Sequence, residues 1–310
     1  MIDVSVIIVS YNTADLTVAA IQSVFDATHR VTFEVLVVDN DSSDGSADRI
    51  ESQFPRVRLT RLEYNAGFAK ANNLAAKDAV GRYILLLNPD TVVLDAAIDT
   101  LVEYADGHPE YGISGGSTFF ANGSRNPTAG WNAPTAWSLF CTAVGLSSLF
   151  RGSRIFDSES LAWWDWSEPK EVDVVTGCLM MVERTFWKQL GGFDEQFHMY
   201  GEDADISFRA AAAGRPCILV PDAAIIHYGG ASEGVRADKM VRLLTAKVQL
   251  FRKHWCPAGA AYAVAMLKLW AGVRSAGLIL PALVSQSAQE KRSAWTEVFR
   301  RRDQWVRVAA

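Results

Sequence analysis

A chain of 310 residues, 49% of them hydrophobic and 21% charged, has enough apolar material for one large α/β domain with an appendage, and it is no disordered polymer. Its net charge of -5 argues against general nucleic-acid binding, which needs clustered Lys and Arg. Four dispersed cysteines (Cys141, Cys178, Cys217, Cys256) with no CxxC pair argue against zinc and read as packing residues of a reducing compartment.

In chain order, Val4–Val9 (VSVIIV) is a continuous β-branched run that predicts a strand buried on both faces. The run starts almost at once, with no basic-then-apolar leader before it. Leu16, Ala20, Ile21, Val24 and Phe25 then fall on one helical stripe, with Asn12 or Thr13 placed to cap it. Phe33–Val38 predicts a second buried strand, Ser43–Phe54 a short helix, Val57–Leu62 a third strand and Gly67–Ala79 a helix. Tyr83–Leu87 (YILLL) predicts a fourth strand, and Asp95–Ala105 a helix. From Ser117 to Lys170 the periodicity fails and Gly, Pro, Asn and aromatics dominate, including Trp131, Trp137 and the group Trp163, Trp164 and Trp166. Val172–Val182 reads as a strand, Gly191–Asp194 as a glycine-rich turn, and Tyr200–Asp205 as the opening of a helix that ends near Gly214. Cys217–Val220 and Ala223–His227 read as short strands, then Lys239–Trp255, Ala258–Leu280 and Ala288–Trp305 as helices. No apolar run reaches the ~18 residues of a membrane span, so a cytoplasmic protein is expected.

Strands alternating with helices over short links predict a mostly parallel sheet with helices on both faces. Ligands of such sheets sit at the carboxyl ends of the strands. Here those ends carry Ser10, Tyr11 and Asn12, then Asp39 through Gly45, then Asn88–Pro89–Asp90. Neither G-x-G-x-x-G after a strand nor G-x-x-x-x-G-K-[ST] occurs, so a bound nucleotide would be gripped by side chains and a metal.

Six segments share an order and placement with a known family: VIIVSYN (Val6–Asn12), VVDNDSSDGS (Val37–Ser46), NAGFAKANN (Asn65–Asn73), LLLNPDT (Leu85–Thr91), Thr176–Gly214 and IIHYGG (Ile225–Gly230). Together they resemble glycosyltransferase family 2, in its bacterial rhamnosyltransferase-like branch. The resemblance implies a GT-A fold: α/β, a mixed and mostly parallel sheet flanked by helices, with a C-terminal helical extension. It implies a catalytic domain over residues 1–238, with a nucleotide-binding half (1–116) and an acceptor and catalytic half (117–238), followed by the extension (239–310). The implied activity is inverting transfer of a sugar, L-rhamnose from dTDP-rhamnose or a hexose from a UDP-sugar. The acceptor is a saccharide or polyprenyl-linked saccharide of a bacterial surface glycan, and the cofactor a divalent cation, Mg2+ or Mn2+.

The resemblance carries roles onto single residues. Asp39 matches the position that accepts from the imide N–H of uracil or thymine, whereas a helix-capping aspartate fits Asp41 or Asp44 better. Asn88–Pro89–Asp90 stands where the family has D-x-D; Asp90 is the expected direct metal ligand, and Asn88 lowers the charge there. His227 matches a position that contacts metal or diphosphate. Asp203 matches the base that takes the acceptor's proton, with Glu202 and Asp205 beside it to raise its pKa. Ser10, Tyr11, Asn12, Asn65, Gly67, Lys70, Asn73 and Asn88 are expected to frame the nucleotide, Gly67 either by letting backbone approach ligand or as a plain turn glycine.

Two features stay open. Trp163, Trp164 and Trp166 suit stacking on an acceptor sugar, a core, or a membrane-facing loop. Lys291, Arg292 and Arg300–Arg302, interleaved with Trp295, Phe299 and Trp305, suit an anionic membrane surface or a helix partner, including a homodimer; peripheral attachment to the inner face of the plasma membrane is favoured. A sugar-phosphate nucleotidyltransferase would need a basic glycine-rich loop after the first strand, which Ser10–Asn12 lacks. A non-catalytic scaffold would not need Asp39, Asp90, Asp203 and His227 all intact.

Overall fold

The computed structural model describes residues 2–229, 237–277 and 285–307. Gly230, and the end of the helix expected over Ala258–Leu280, lie outside the described residues. Two compact units emerge, one within Met1–Trp131, Trp166–His198 and Glu202–Ser232, the other within Asn132–Asp165, Met199–Gly201 and Glu233–Ala310. The helical unit draws on residues 132–165 as well as the C-terminal stretch.

The first unit opens with β1 (Val4–Ser10), α1 (Ala14–Ala27), β2 (Phe33–Asp39), α2 (Ser46–Gln53), β3 (Arg58–Arg61), α3 (Phe68–Asp78) and β4 (Tyr83–Leu87). These follow the predicted order, because β-branched runs bury on both faces and the helices between them carry one apolar stripe. It continues with β5 (Thr91–Val93), α4 (Ala97–Gly107), β6 (Ile113–Phe119) and β7 (Gly130–Trp131). Ala136–Val144 (α5) and Leu146–Leu149 (α6) come next in the chain, in the second unit. The first unit closes with β8 (Lys170–Val172), β9 (Val174–Val175), β10 (Leu179–Glu183), α7 (Arg184–Leu190), α8 (Glu202–Ala212) and β11 (Cys217–His227).

The main sheet runs β3-β2-β1-β4-β10-β6-β11-β5, with β8 also paired to β11. β3, β2, β1 and β4 are mutually parallel, as are β6 and β11, while β10, β5 and β8 run antiparallel to their neighbours. One core packs Val6, Ile8, Val35, Val37 and Leu85 of the sheet against Ile21 and Val24 of α1 and Leu101 of α4. Asp99 of α4 is buried there and accepts from the backbone N–H groups of His29, Arg30 and Val31 at 3.0, 2.7 and 2.9 Å, which pins the loop before β2.

Three expectations for the strands change. β6 was not foreseen because its ISGGSTF lacks strand-forming side chains at Gly115 and Gly116. Both glycines answer close approach, since a Cβ on Gly116 would lie 1.9 Å from the Ala223 carbonyl oxygen and one on Gly115 2.4 Å from Val175. Val172–Val182 is not one strand but three, broken at Asp173 and again at Thr176–Cys178. The two short strands at Cys217–Val220 and Ala223–His227 are one, β11, whose pairing with β6 shifts register between Val220 and Ala224.

In the second unit, α9 (Ala237–His254), α10 (Pro257–Gly277), α11 (Gln286–Arg300) and α12 (Arg302–Val306) pack with α5 around Leu139, Leu244, Val248, Phe251, Leu267, Val298 and Trp305. The helix expected over Ala288–Trp305 breaks at Arg301. That break turns Trp305 inward, where it is fully buried and its indole N–H donates to the Val298 carbonyl. Trp295 packs edge-on against Trp270, with ring centres 4.8 Å apart. The two tryptophans expected to meet a membrane surface or a helix partner thus pack within the unit, Trp305 in its core and Trp295 partly buried against it. Among the described residues no helix is long and apolar enough to cross a membrane.

Candidate active site

The carboxyl end of β2 and its neighbours form one corner. Ser10 and Asp39 are register partners at the ends of β1 and β2. Asp39 is buried; its Oδ2 accepts from the Ser42 amide at 3.1 Å, and its Oδ1 is enclosed with no hydrogen-bond partner. A buried carboxylate oxygen left unmatched is costly, so it marks a place where a ligand donor is wanted. The capping duty falls instead on Asp44, which accepts from the Ala14 amide at the head of α1 and the Ser46 amide at the head of α2. Burial works to raise the Asp44 pKa, but the hydrogen bonds from Ser46 and Ala14 prevail and lower it.

Several residues expected to frame a nucleotide hold the loops of this corner. The Ser10 hydroxyl is buried against Thr17, and Asn12, at φ 51, accepts from the Ser43 amide at 2.8 Å. Asn65 Oδ1 accepts from Asn40 and from the Gly67 amide, each at 3.0 Å. Asn40, unassigned from sequence, also accepts from the Ala66 amide at 2.7 Å, so it fastens the loop before α3 to the end of β2. Gly67 has φ +81, and a Cβ there would sit 2.5 Å from both the carbonyl oxygen and Nδ1 of His198. The close approach foreseen for Gly67 is therefore made by the chain's own backbone, sealed by a bond from the Phe68 amide to the His198 carbonyl. Asn73 binds both the amide and the carbonyl of Phe193, at 2.9 and 2.8 Å, and shapes the Gly192 turn. Tyr11 is exposed, and the Lys70 ammonium lies 5.4 Å from the Tyr64 ring centre, its pKa raised by the Tyr64 hydroxyl.

A second corner lies where β4, β5, β10 and β11 meet. His227 pairs with Thr91 across β11 and β5, and the Tyr228 amide bonds the Asp90 carbonyl. This register sets His227 Nε2 3.3 Å from Asp90 Oδ1, while Nδ1 lies 3.4 Å from the Thr128 hydroxyl. Burial lowers the imidazole's proton affinity, but Asp90 and the Cys178 sulfur outweigh it and push the His227 pKa to about 10. Among the described residues no three His, Cys, Asp or Glu side chains gather to hold a metal by themselves. As it stands the pair holds a proton between them; a cation binding there would displace that proton, and one carboxylate with the freed imidazole would then leave further positions to diphosphate oxygens and water.

Residues Thr176–Cys178, the break between β9 and β10, connect this corner to the head of α8. The Gly177 amide donates to the Asp203 carboxylate, the Cys178 carbonyl accepts from the Asn88 amide at 3.2 Å, and the Cys178 side chain meets His227. Asp203 also accepts from its neighbour Ala204 at 2.8 Å, and burial, more than these bonds oppose, pushes its pKa up to about 6. The cause is burial, where adjacent negative charge had been expected. Asp205 is fully buried and bound to Arg209 at 2.8 Å, which in turn holds the Leu190 and Gly192 carbonyls. Glu202 is buried too. Only Asp203 of the three is both partly accessible and raised. Trp166 stacks under Arg125 and Trp163 under Arg154, at 4.3 and 4.2 Å, so these two rings are engaged by different cations.

The sequence matches Glycosyl transferase family 2 over residues 5–179 and the N-terminal domain of galactosyltransferase over residues 160–226. The N-acetylglucosaminyl-diphospho-decaprenol L-rhamnosyltransferase of Mycobacterium tuberculosis is 28% identical over 218 residues, which cover 64% of this chain and 68% of that protein. Among solved structures, GalNAc-T7 with UDP, GalNAc and Mn2+ aligns at a TM-score of 0.62 and 16% identity over 98% of this chain, which spans 56% of that protein's length. A Pyrobaculum calidifontis mannosyltransferase in complex with GDP-Man and Mn2+ aligns at 0.57 and 18% identity, covering 95% of this chain and 84% of that one. At such identities these two likenesses establish the fold alone.

Proposed function

The chain belongs to glycosyltransferase family 2, with the GT-A fold, and we propose that it transfers a sugar with inversion from a nucleotide diphosphate donor to a saccharide or polyprenyl-linked saccharide of a bacterial surface glycan. The favoured donor is dTDP-rhamnose, on the strength of the activity named for the mycobacterial relative. The observation that carries the reading is the link through Thr176–Cys178, which joins a raised carboxylate to the Asp90–His227 pair.

Each residue then has a defined task. Asp39 Oδ1 accepts the imide N–H of thymine or uracil, which supplies the donor it lacks. Asp90 and His227 would hold Mg2+ or Mn2+, which when bound neutralises charge on the diphosphate. Asp203, with a pKa about 6, is ionised at neutral pH yet basic enough to take the acceptor hydroxyl's proton as that oxygen attacks the anomeric carbon. The Gly177 and Ala204 amides orient the carboxylate for that transfer.

The test is transfer from dTDP-rhamnose, UDP-glucose and UDP-GlcNAc to lipid-linked and water-soluble saccharides, with and without Mn2+, and with product anomer read by NMR. Turnover of dTDP-rhamnose with inverted anomeric configuration supports the reading. Retention of configuration refutes the role of Asp203, and preference for a UDP-sugar replaces the donor.

A further inference from the structure

The helical unit carries an exposed apolar surface that its own core does not use. Trp137, Phe140 and Val144 of α5 are exposed, while Leu139, Cys141 and Ala143 of the same helix are buried. Leu149, Phe150 and Ile155 extend the surface, with Leu149 74% and Ile155 63% exposed. The rings form one cluster: Trp137 lies 5.7 Å from Phe140 and 6.2 Å from Phe156, and Phe150 lies 4.9 Å from Phe156. α10 runs alongside, tied by the Tyr262 hydroxyl to the Ala136 carbonyl and by Arg274 to the Ser148 hydroxyl. It too has an exposed apolar stripe, Ala261, Ala265, Leu269 and Val273 at four-residue intervals.

Charge and hydrogen bonding say what covers this surface. Residues 136–156 contain no Asp or Glu but include Arg151 and Arg154, and α10 contains none but carries Lys268 and Arg274. In a chain of net charge -5 this is a marked segregation of positive charge. The nearest carboxylates in sequence, Asp157 and Glu159, are engaged by the Gly152 amide and the Ser138 hydroxyl. The projecting segment also satisfies its own backbone. The Leu149 amide bonds Gly145, Phe150 bonds Leu146, Ser153 bonds Phe150, and Ile155 and Phe156 bond the Ser153 hydroxyl. The Trp137 indole N–H donates to the Ile155 carbonyl at 2.9 Å. A bilayer, which offers no hydrogen bonds in its apolar layer, requires such internal closure, and the unopposed Arg151 and Arg154 complement its anionic phosphates.

We propose that α5, α6 and the loop through Phe156 form a docking surface for an anionic lipid bilayer, with the aromatic cluster entering the acyl boundary and Arg151, Arg154 and Arg274 on the phosphates. Its use in reaching a lipid-linked acceptor rests on the glycosyltransfer reading above; the docking itself does not. The experiment is co-sedimentation of the full chain with vesicles of phosphatidylcholine alone and with 30% phosphatidylglycerol, beside sedimentation-velocity measurements and turnover of a water-soluble acceptor. Wild type is expected to bind the anionic vesicles. Trp137→Ala with Phe150→Ala should weaken that binding at least about tenfold, and Arg151→Ala or Arg154→Ala about fivefold each, on anionic vesicles only. Both sets should keep the wild-type melting temperature and soluble-acceptor turnover. Equal binding by wild type and the folded aromatic variant, or none by wild type, overturns the proposal. So does a concentration-dependent dimer that the same variant abolishes, since the surface would then be covered by a second copy. Absence of transfer with every donor would sink the functional reading and leave the vesicle result standing.

Discussion

Replacing Asp203 with Asn keeps the side-chain shape and removes its ionisation, and its consequences run in opposite directions for stability and activity. Burial holds the folded carboxyl at about 6 against an ordinary 3.8. At about 1.4 kcal/mol per tenfold change in proton affinity, an ionised Asp203 burdens the folded state by about 3 kcal/mol. Because the folded value is raised, that burden is absent below the unfolded value, grows as pH rises from about 4 to about 6, and is complete above it. Asn does not titrate. Asp203→Asn should therefore be more stable than wild type by up to about 3 kcal/mol at about pH 8 and by almost nothing at about pH 4, the ceiling being lowered if the amide serves only one of the Gly177 and Ala204 donors. Urea unfolding at the two pH values reads the difference. The same variant should lose roughly 10²- to 10⁴-fold in turnover, and the acid limb of the wild-type kcat/KM profile, with its midpoint near 6, should disappear. A variant destabilised equally at both pH values, or one with wild-type turnover, would refute the reasoning.

Other perturbations read other parts of the structure. Asp39→Ala removes the enclosed acceptor, and calorimetric titration should show thymidine or uridine diphosphate binding weakened by about ten- to a hundredfold, with loss of base selectivity. Asp90→Asn or His227→Ala should weaken Mn2+ binding in the presence of nucleoside diphosphate while leaving nucleotide binding without metal nearly unchanged, as read by titration calorimetry. Gly67→Ala places a methyl 2.5 Å from the His198 backbone at φ +81, so it should lower stability by more than about 1 kcal/mol in urea unfolding, whereas Gly45→Ala, with open space around it, should cost only the positive-φ strain. Asp99→Ala removes the acceptor of three part-buried amides and should cost about 1–3 kcal/mol without changing KM for donor.

Parallel strands buried on both faces announce themselves, so β1, β2 and β4 were legible within a residue or so. Strand-end placement singled out Asp39 and Asp90 as candidates before any geometry, and the family resemblance added His227 and Asp203. β6 was hidden because Gly115 and Gly116 are there to make room for the Ala223 carbonyl and Val175, a tertiary demand with no local periodicity. Roles divided among near-identical neighbours were hidden too. Asp203 and Asp205 look equivalent in sequence, but an ion pair to Arg209 separates them. Asn65 and Asn73 sit in a motif expected to frame a nucleotide, and that their amides fasten loops is something only long-range contacts could reveal. The aromatics were misplaced for a similar reason: the break at Arg301 turns Trp305 inward and leaves outward display to α5.

The tripeptide Thr176–Gly177–Cys178 gives this chemistry a shared bearing. One amide steadies the carboxylate, one sulfur touches the imidazole, and one carbonyl anchors Asn88. On the proposed roles, a substitution there would alter the surroundings of the Asp203 carboxylate and of the Asp90–His227 pair together, so the two traits would drift together through any lineage of variants. The proposed base contact lies apart from this link, since the Asp39 side chain is held by the Ser42 amide. If those roles hold, donor base and catalytic power are separable, while catalytic power and diphosphate grip are not.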